Sequence, residues 1–257
     1  MRILVCVKRV PAPGARIGIS EDELDVDSTH LGFTTSPHEE CAVEAAVCLV
    51  EGAEEGGDVV VLTAGPAAAE EQLRYAASVG ATELVLVPIH GGGSWDPQAT
   101  ARALTDSVTA LETRDGPFDL ILFGNESADA GGYQVGVRVA HAMGRPMVNG
   151  AKSIEYSDSV VTVRRATDGG VEIYEVPTPA VVGVREGINL PRYPTMRGRL
   201  ASKKITITTI DTSPEAGGLQ RRRLHRPAEA ASEPIMLGSG PDAAAGVVDV
   251  LEELGLT

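Results

Sequence analysis

The sequence predicts a three-layer, doubly wound α/β fold with a mainly parallel sheet, followed by a C-terminal arm and helix. Three observations support this prediction: short apolar runs without polar alternation, helical patterns between them in βαβα order, and a hairpin pattern in the second half. Uninterrupted apolar runs are typical of parallel strands that helices cover on both faces. In chain order these runs are Ile3–Val7, Val59–Thr63, Leu84–Val87 and Leu120–Phe123.

Each predicted helix between these strands begins or ends with a recognisable signal. Ser36 is a candidate N-cap, Pro37 occupies the first turn, and two acidic residues follow near the positive end of the helix dipole. Pro66 and the Asp96–Pro97 pair mark two further starts, and glycines follow the second and fourth helices. The predicted helices cover Pro37–Glu51, Pro66–Val79, Asp96–Leu111 and Gly132–Met143.

The second half of the chain predicts a hairpin, one more buried strand and an extended arm. Val160–Arg164 and Val171–Glu175 flank turn residues that tolerate positive φ, and Ala180–Val184 is a further apolar run. Residues 1–210 are therefore expected to form the α/β domain, and residues 211–257 a linker, arm and terminal helix over Pro241–Leu254. The amphipathic pattern of that helix fits either contact with another subunit or docking on its own domain.

Composition and charge exclude several classes of function. The net charge is −14, whereas nucleic-acid binding depends on clustered cations. The first residues have the pattern of a strand and not of a signal peptide, and no apolar run approaches the length that spans a membrane. Three cysteines without metal-ligand spacing indicate a reducing cytoplasm. The five histidines form no paired ligand motif and no nucleophile elbow is present, so neither a metal site nor a catalytic constellation is predicted.

The stretch from Gly124 to Gly136 is the leading candidate site. It follows a buried strand and leads into a helix, which places it at the carboxyl end of a parallel strand, where open α/β sheets bind ligands. Small residues admit close approach of an anion, and free amide groups with the helix dipole favour phosphate. The alternative is a simple strand-to-helix connection. Ser36–Glu39 and Thr63–Pro66 are expected at the same sheet edge, although no standard phosphate-loop or dinucleotide motif is present.

Several separated motifs resemble the electron-transferring flavoprotein beta family. Ile3–Val10 resembles the first strand of that family with its K-[RQ]-V ending, and Ser36–Glu44 resembles its N-P-x-[DE]-E-x-A-x-E segment, with Ser36 in place of Asn. Thr63–Ala81 resembles its G-P…L-R-x-A-x-x-x-G-A pattern. Asn189–Thr195 resembles its N-x-P-R-[YF]-[PA]-[ST] stretch, which precedes a basic run. The resemblance covers almost the whole chain.

The resemblance implies a non-catalytic subunit of an electron carrier with the HUP-like adenine-nucleotide-binding fold. Such a beta subunit pairs with an alpha subunit that holds the redox-active FAD, binds AMP as a structural ligand, and works in the cytoplasm with flavin dehydrogenases. The implied nucleotide contacts are Cys6, Ser36, Pro37, His38, Glu39, Ala64, Gly124, Asn125, Glu126, Ser127, Asp129, Gly131, Gly132, Tyr133, Gln134 and Val135. The acidic run usual in the family is here Asp129-Ala130-Gly131.

Two alternatives to this function are considered. Family members with Val at the position of Val135 can hold a second FAD in place of AMP and accept electrons from NADH. Val137 breaks the pattern of those members, so AMP is the preferred ligand. A generic nucleotide-binding regulatory protein of similar architecture is the second alternative, and the Asn189–Thr195 motif argues against it.

The stretch around Tyr193 to Leu200 resembles the loop by which the family engages dehydrogenases, with Tyr193, Met196 and Leu200 as the docking residues. Pro191 and Pro194 predict a loop without helix or interior strand, and the arginines among these residues favour solvent. An exposed methionine would be a flexible apolar anchor for a partner. In the alternative, Tyr193 and Met196 pack into the core and pin a crossover.

Overall fold

A computed structural model describes residues 1–14, 16–90, 95–214, 218–227 and 235–256. The chain divides into two compact units, Met1–Arg223 and Leu224–Thr257. Parts of the predicted linker and arm, residues 215–217, 228–234 and 257, lie outside the described residues.

The first unit is built on one large sheet and two short two-stranded sheets. The strands are β1 (Arg2–Val7), β2 (Val10–Pro11), β3 (Gly18–Ile19), β4 (Val26–Asp27), β5 (Phe33–Thr34), β6 (Asp58–Gly65), β7 (Glu83–Pro88), β8 (Leu120–Gly124), β9 (Met147–Ser157), β10 (Val160–Thr167), β11 (Gly170–Pro177), β12 (Ala180–Val184) and β13 (Ile207–Thr209). The helices of the two units are α1 (Pro37–Gly52), α2 (Glu70–Ser78), α3 (Pro97–Asp115), α4 (Val135–Ala142), α5 (Met196–Ser202) and α6 (Ala244–Glu253).

The large sheet has the strand order β11-β10-β9-β12-β8-β1-β6-β7-β13. Its pairings are parallel except those that β10 makes with β9 and β11. The chain runs outward from β1 through β6 and β7, then returns across β1 to β8, so the direction of winding reverses between β1 and β8. Such a reversal is the topological switch point, where open α/β sheets bind ligands outside the carboxyl ends of the strands.

Helices cover both faces of the parallel strands. Helices α1 and α2 pack on one face against side chains such as Val5 and Val61, and α3 and α4 pack on the other against side chains such as Leu4 and Leu62. Alternate residues of a strand point to opposite faces, so a strand between two helical layers is apolar along its length. The predicted three-layer, mainly parallel fold is therefore confirmed, and each of the four predicted N-terminal strands is found to within two residues.

Strand β9 has no counterpart in the prediction. It pairs in parallel with β12 and antiparallel with β10, which extends the sheet beyond its parallel part. Only Val148 and Ala151 of its eleven residues are buried, and polar side chains occupy much of the rest. The strand therefore lacks the apolar run by which the central strands were predicted.

Three predicted helices begin later than expected. Pro66 precedes a short 3₁₀ turn, and α2 begins at Glu70. Helix α4 begins at Val135 and not at Gly132, because Tyr133 has a φ of 52°, which a right-handed helix does not contain. Likewise, α6 begins at Ala244 after a 3₁₀ turn over Gly240–Ala243.

The stretch around Tyr193 to Leu200 is not a loop throughout, so the prediction of a loop without a helix there was wrong. Helix α5 begins after Thr195, whose hydroxyl oxygen accepts a hydrogen bond from the Gly198 amide at 3.0 Å as an N-cap. Pro191 and Pro194 both precede this cap, and they exclude a helix only before it.

Candidate functional site

The first turn of α1 and the loop after β8 meet at the switch point. We call the space between Ser36–Glu39 and the loop from Gly124 to Val135 the crevice. A Cβ atom at Gly124 would lie 2.7 Å from Glu39 Cγ and 3.2 Å from His38 Cβ. Only glycine lets the end of β8 approach α1 so closely. The structure thus brings together two of the segments expected at one sheet edge. Ala64, near the end of β6, is half-buried and lies on the far side of β1 from this contact.

Glu39, in the first turn of α1, carries a buried carboxyl group, and only 5% of the residue is exposed. Its Oε2 accepts a hydrogen bond from the Ser36 amide at 3.2 Å, while Ser36 Oγ accepts from the Glu39 amide, which forms a capping box. The backbone of Lys8, just past β1, also donates to this carboxylate. Burial raises the pKa of Glu39 to about 7 against the effect of these hydrogen bonds. The carboxyl group joins β1 to α1 and titrates near neutral pH.

Cys6 and Ser36 are buried as well, whereas Pro37 at the first turn of α1 is exposed. Cys6 lies on β1 opposite Phe123 of β8, and its thiol is enclosed by the core beneath α3 and α4. Burial, and secondarily the charge of Glu39, raises the pKa of the Cys6 thiol. The thiol therefore stays neutral, and its side chain is part of the core between the sheet and helices α3 and α4.

His38 connects the loop after β8 with the loop after β12. Its Nδ1 accepts a hydrogen bond from the Glu186 amide at 2.7 Å, so the ring proton of the neutral imidazole is on Nε2. This Nε2 lies 3.5 Å from Glu126 Oε1. The hydroxyl group of Tyr133 bonds to the same carboxylate, and this bond raises the pKa of Tyr133. Glu126 is thus held from two sides at the edge of the crevice.

The loop from Asn125 to Gln134 has a backbone fixed by hydrogen bonds and by two residues with positive φ. It begins with the Asn125 amide bonded to the Val184 carbonyl at 2.8 Å and turns where the Gly131 amide bonds to the Ser127 carbonyl at 2.9 Å. Gly131 has a φ of 54°, in the left-handed region that favours glycine. Tyr133 adopts the same region without being glycine, a conformation concentrated at functional sites.

The amide groups at the start of α4 are not capped by a side chain. Gln134 occupies the N-cap position, but its Oε1 accepts a hydrogen bond from Arg138 at 3.1 Å instead of from the helix amides. The first amide groups of a helix have no partner within it, and with the helix dipole they favour an anion. Val135 is the first residue of this helix, and Gly132 leaves open space where a Cβ atom would stand.

Two cations at this edge were not among the predicted site residues. Lys8 lies against Asp129 of the loop, and the charge of Arg185 acts on Tyr133. Lys8 follows β1 within a motif that the sequence singled out. Its position opposite the loop depends on β1 and β8 being neighbours in the sheet, which no local pattern in the sequence specifies.

The predicted docking residues are on the surface. Tyr193 is 89% exposed, Met196 76% and Leu200 60%, and the neighbouring Leu190 is also exposed. The structure therefore contradicts the alternative in which Tyr193 and Met196 pack into the core. We call these four side chains the apolar face.

A segment that we call the strap, residues 186–192, lies along α1 and leads to the apolar face, of which Leu190 is part. Three hydrogen-bonded contacts join it to α1, and in each the two residues are 148 positions apart in the sequence. The contacts are Glu186 to His38, Asn189 to Cys41 and Arg192 to Glu44. The Asn189 side chain donates to the Cys41 carbonyl at 2.9 Å, and Arg192 Nε donates to Glu44 Oε2 at 2.9 Å. The strap therefore follows one side of α1 from the crevice towards the apolar face.

Other features of the described residues lie apart from the crevice. A cavity of about 270 Å³ opens beside α1, where Cys48, Lys152 and Ile188 are among its lining residues. No cluster of metal-ligating side chains occurs in the part of the chain that the structure describes. None of the helices described there is long and apolar enough to cross a membrane.

Comparison with known proteins identifies the family. The electron transfer flavoprotein domain matches residues 24–215. The electron transfer flavoprotein subunit beta of Mycobacterium leprae is 35% identical over 211 residues, which are 81% of this chain and 78% of that protein. The same subunit of Syntrophomonas wolfei is 33% identical over 81% of this chain and 79% of its own. Subunit CarD of the caffeyl-CoA reductase-Etf complex of Acetobacterium woodii is 29% identical over 98% of each chain. The chain belongs to the electron transfer flavoprotein beta subunit family.

Proposed function

We propose that this chain is the beta subunit of a heterodimeric electron transfer flavoprotein that binds AMP as a structural ligand. In that complex an alpha subunit holds FAD, which supplies the redox chemistry, and flavin dehydrogenases supply the electrons. The chain itself is an electron-carrier subunit without catalytic residues. The observation that carries the proposal is the meeting of the α1 start, the loop after β8 and the uncapped start of α4 at the switch point.

The chemistry of the crevice fits a mononucleotide. Uncapped amides at the start of α4 offer donors to one phosphate group, and the turn at Gly131 shapes the loop that leads to them. The Glu126 carboxylate, which His38 and Tyr133 hold in place, provides hydrogen-bond acceptors beside it for the adenosine. Residues 211–257 are proposed to contact the alpha subunit, since the residues of α6 are not buried and its exposed side chains include Val247 and Val248.

Nucleotide extracted from the purified complex is expected to be AMP, with one flavin per heterodimer. The measurement is mass spectrometry of the acid extract together with the flavin absorbance per mole of complex. A second flavin at full stoichiometry, with AMP absent, would contradict the proposal.

Gly131→Val is expected to lower the bound AMP severalfold, because a β-branched residue disfavours a φ of 54° and the loop would change its path. Gly169→Val, in the turn between β10 and β11, is the matched control, since its φ is not positive, a Cβ atom there meets nothing within 4 Å, and it lies outside the predicted site. The AMP content of each purified variant is measured by chromatography. Equal AMP content in both variants would place the nucleotide elsewhere.

A second candidate function is a subunit that holds a second FAD and accepts electrons from NADH. Val135 at the start of α4 favours it, as does the similarity to CarD over 98% of the chain. Two flavins per heterodimer, one of them reduced on addition of NADH, would establish this candidate in place of the first.

Met196→Ala is expected to leave the melting temperature within about 1 °C of the unchanged protein, since a surface substitution rarely changes stability. Electron transfer from the cognate dehydrogenase is expected to slow about tenfold or more, the loss typical of an interface anchor. Ile173→Ala on β11 is the control, since its side chain is exposed outside the apolar face. A large loss of stability with unchanged kinetics would remove the docking role.

A further inference from the structure

An ion pair closes one side of the proposed nucleotide crevice. Lys8 Nζ lies 2.7 Å from both carboxylate oxygens of Asp129. Lys8 directly follows β1 and Asp129 belongs to the loop after β8, so the pair spans the switch point between those strands. The side chains are 43% and 30% exposed, which leaves them accessible to a ligand. Because an exposed ion pair contributes little to stability, its lysine can change partners at small cost.

The backbone of Lys8 is fixed although its ammonium group is not buried. Its amide donates to the buried carboxyl group of Glu39. The next residue, Arg9, stacks its guanidinium group on the Phe33 ring at 3.3 Å from the ring centroid. The stem of Lys8 therefore starts from a defined point beside the crevice, and only the flexible part of the side chain has to move.

The charges of the loop after β8 show why a cation is needed here. That loop carries two carboxylates, Glu126 and Asp129. Glu126 is held by His38 and Tyr133, whereas Asp129 is held by Lys8. An anion at the start of α4 would meet the charge of Asp129 two residues before Gly131. A phosphate group offers more charge and more acceptor oxygens than this carboxylate, so it competes well for the ammonium group.

We infer that Lys8 is the phosphate-binding cation of the crevice and that Asp129 holds it until the nucleotide binds. On binding, the ammonium group passes from the Asp129 carboxylate to the phosphate. Asp129 then acts as an internal competitor that weakens the binding of AMP. The inference rests on the proposed function, because it takes AMP as the ligand.

The test compares AMP with adenosine, which lacks the phosphate. Binding of both is measured by calorimetry to the full chain after removal of nucleotide, for the unchanged protein, Lys8→Met, Asp129→Asn and the distant control Lys204→Met. Lys8→Met is expected to weaken AMP about tenfold or more, the range for a hydrogen bond to a charged group, and to change adenosine less than twofold. Asp129→Asn is expected to tighten AMP severalfold, and the control to leave both affinities unchanged.

Equal weakening of AMP and adenosine in Lys8→Met would show that Lys8 only supports the fold of the crevice, and unchanged AMP affinity would also overturn the inference. Asp129→Asn decides the matter independently if Lys8→Met does not fold, since weaker AMP binding in it would exclude the role of competitor. If the unchanged protein binds no AMP, the proposed function itself fails. That outcome is separate from a failure of Lys8 alone.

Discussion

Glu39→Gln is expected to raise the free energy of unfolding above that of the unchanged protein as the pH rises. The difference between the two proteins is expected to be about 3 kcal/mol larger at pH 8 than at pH 5. Glu39 is buried, and burial raises its pKa from 4.5 to about 7. Below pH 4.5 the group is protonated in the folded and unfolded states, so folding carries no charge penalty. As the pH rises through 7, the folded state must hold a buried carboxylate, and that part of the stability is lost. The side-chain amide of the Glu39→Gln variant cannot ionise, so the variant keeps that part of its stability.

The measurement is urea unfolding of both proteins at pH 5, 6, 7 and 8. Gln keeps an oxygen that accepts from the amides of Ser36 and Lys8, so the substitution removes the charge and preserves the geometry. The exposed Glu54→Gln is the matched control and is expected to give a difference that does not vary with pH. A difference for Glu39→Gln that is also constant across this range would show that the carboxyl group is not buried as described.

The sequence predicted the central sheet because its strands are apolar on both faces, a signal that no surface element produces. It also predicted the start of α1, since Ser36, Pro37 and Glu39 form a local capping pattern. These elements are decided by residues within a few positions of one another. The same holds for the turn between β10 and β11, at Asp168–Gly169.

The features that the sequence did not predict depend on distant residues. The burial of Glu39, the contact of Lys8 with Asp129 and the fastening of the strap to α1 all follow from the order of strands in the sheet. A glutamate in the first turn of a helix is ordinarily exposed, whereas the end of β8 at Gly124 and the backbone after β1 at Lys8 lie against this one. The sequence identified the loop after β8 as a candidate site, but it did not identify Lys8 as the cation that contacts this loop.

Helix α1 links the two proposed sites. Its first turn, with Ser36 and Glu39, frames the nucleotide crevice, while its later turns hold the strap at Glu44 and Glu51. A helix of a few turns moves as a rigid unit. A shift of the first turn of α1 would therefore also shift the strap that its later turns bind. If both proposals hold, this arrangement gives a physical reason why the proposed AMP can influence the proposed docking surface about 150 residues later in the sequence.

Arg192→Met is expected to release the strap from α1, which loosens the apolar face, and to lower the free energy of unfolding by roughly 1–3 kcal/mol, the range for a hydrogen bond to a charged group. Arg192 Nη1 lies 2.8 Å from Glu51 Oε1, and its Nε lies 2.9 Å from Glu44 Oε2. The Glu44 side chain is only 9% exposed. Burial raises the pKa of Glu44, but hydrogen bonds from Arg192 and Cys48 outweigh burial and hold it below its usual value.

Without Arg192 the Glu44 carboxylate stays charged and loses its main partner, which destabilises the strap at its last fastening point. Hydrogen exchange is the decisive measurement: amides of residues 189–202 are expected to exchange faster in Arg192→Met, while those of β1 and β8 keep their protection. Arg197→Met is the matched control, because this substitution removes one positive charge from the same segment, residues 189–202, at an exposed position. If both variants exchange like the unchanged protein, the ion pairs of Arg192 do not hold the apolar face, and its position must come from the packing of α5 on α2 alone.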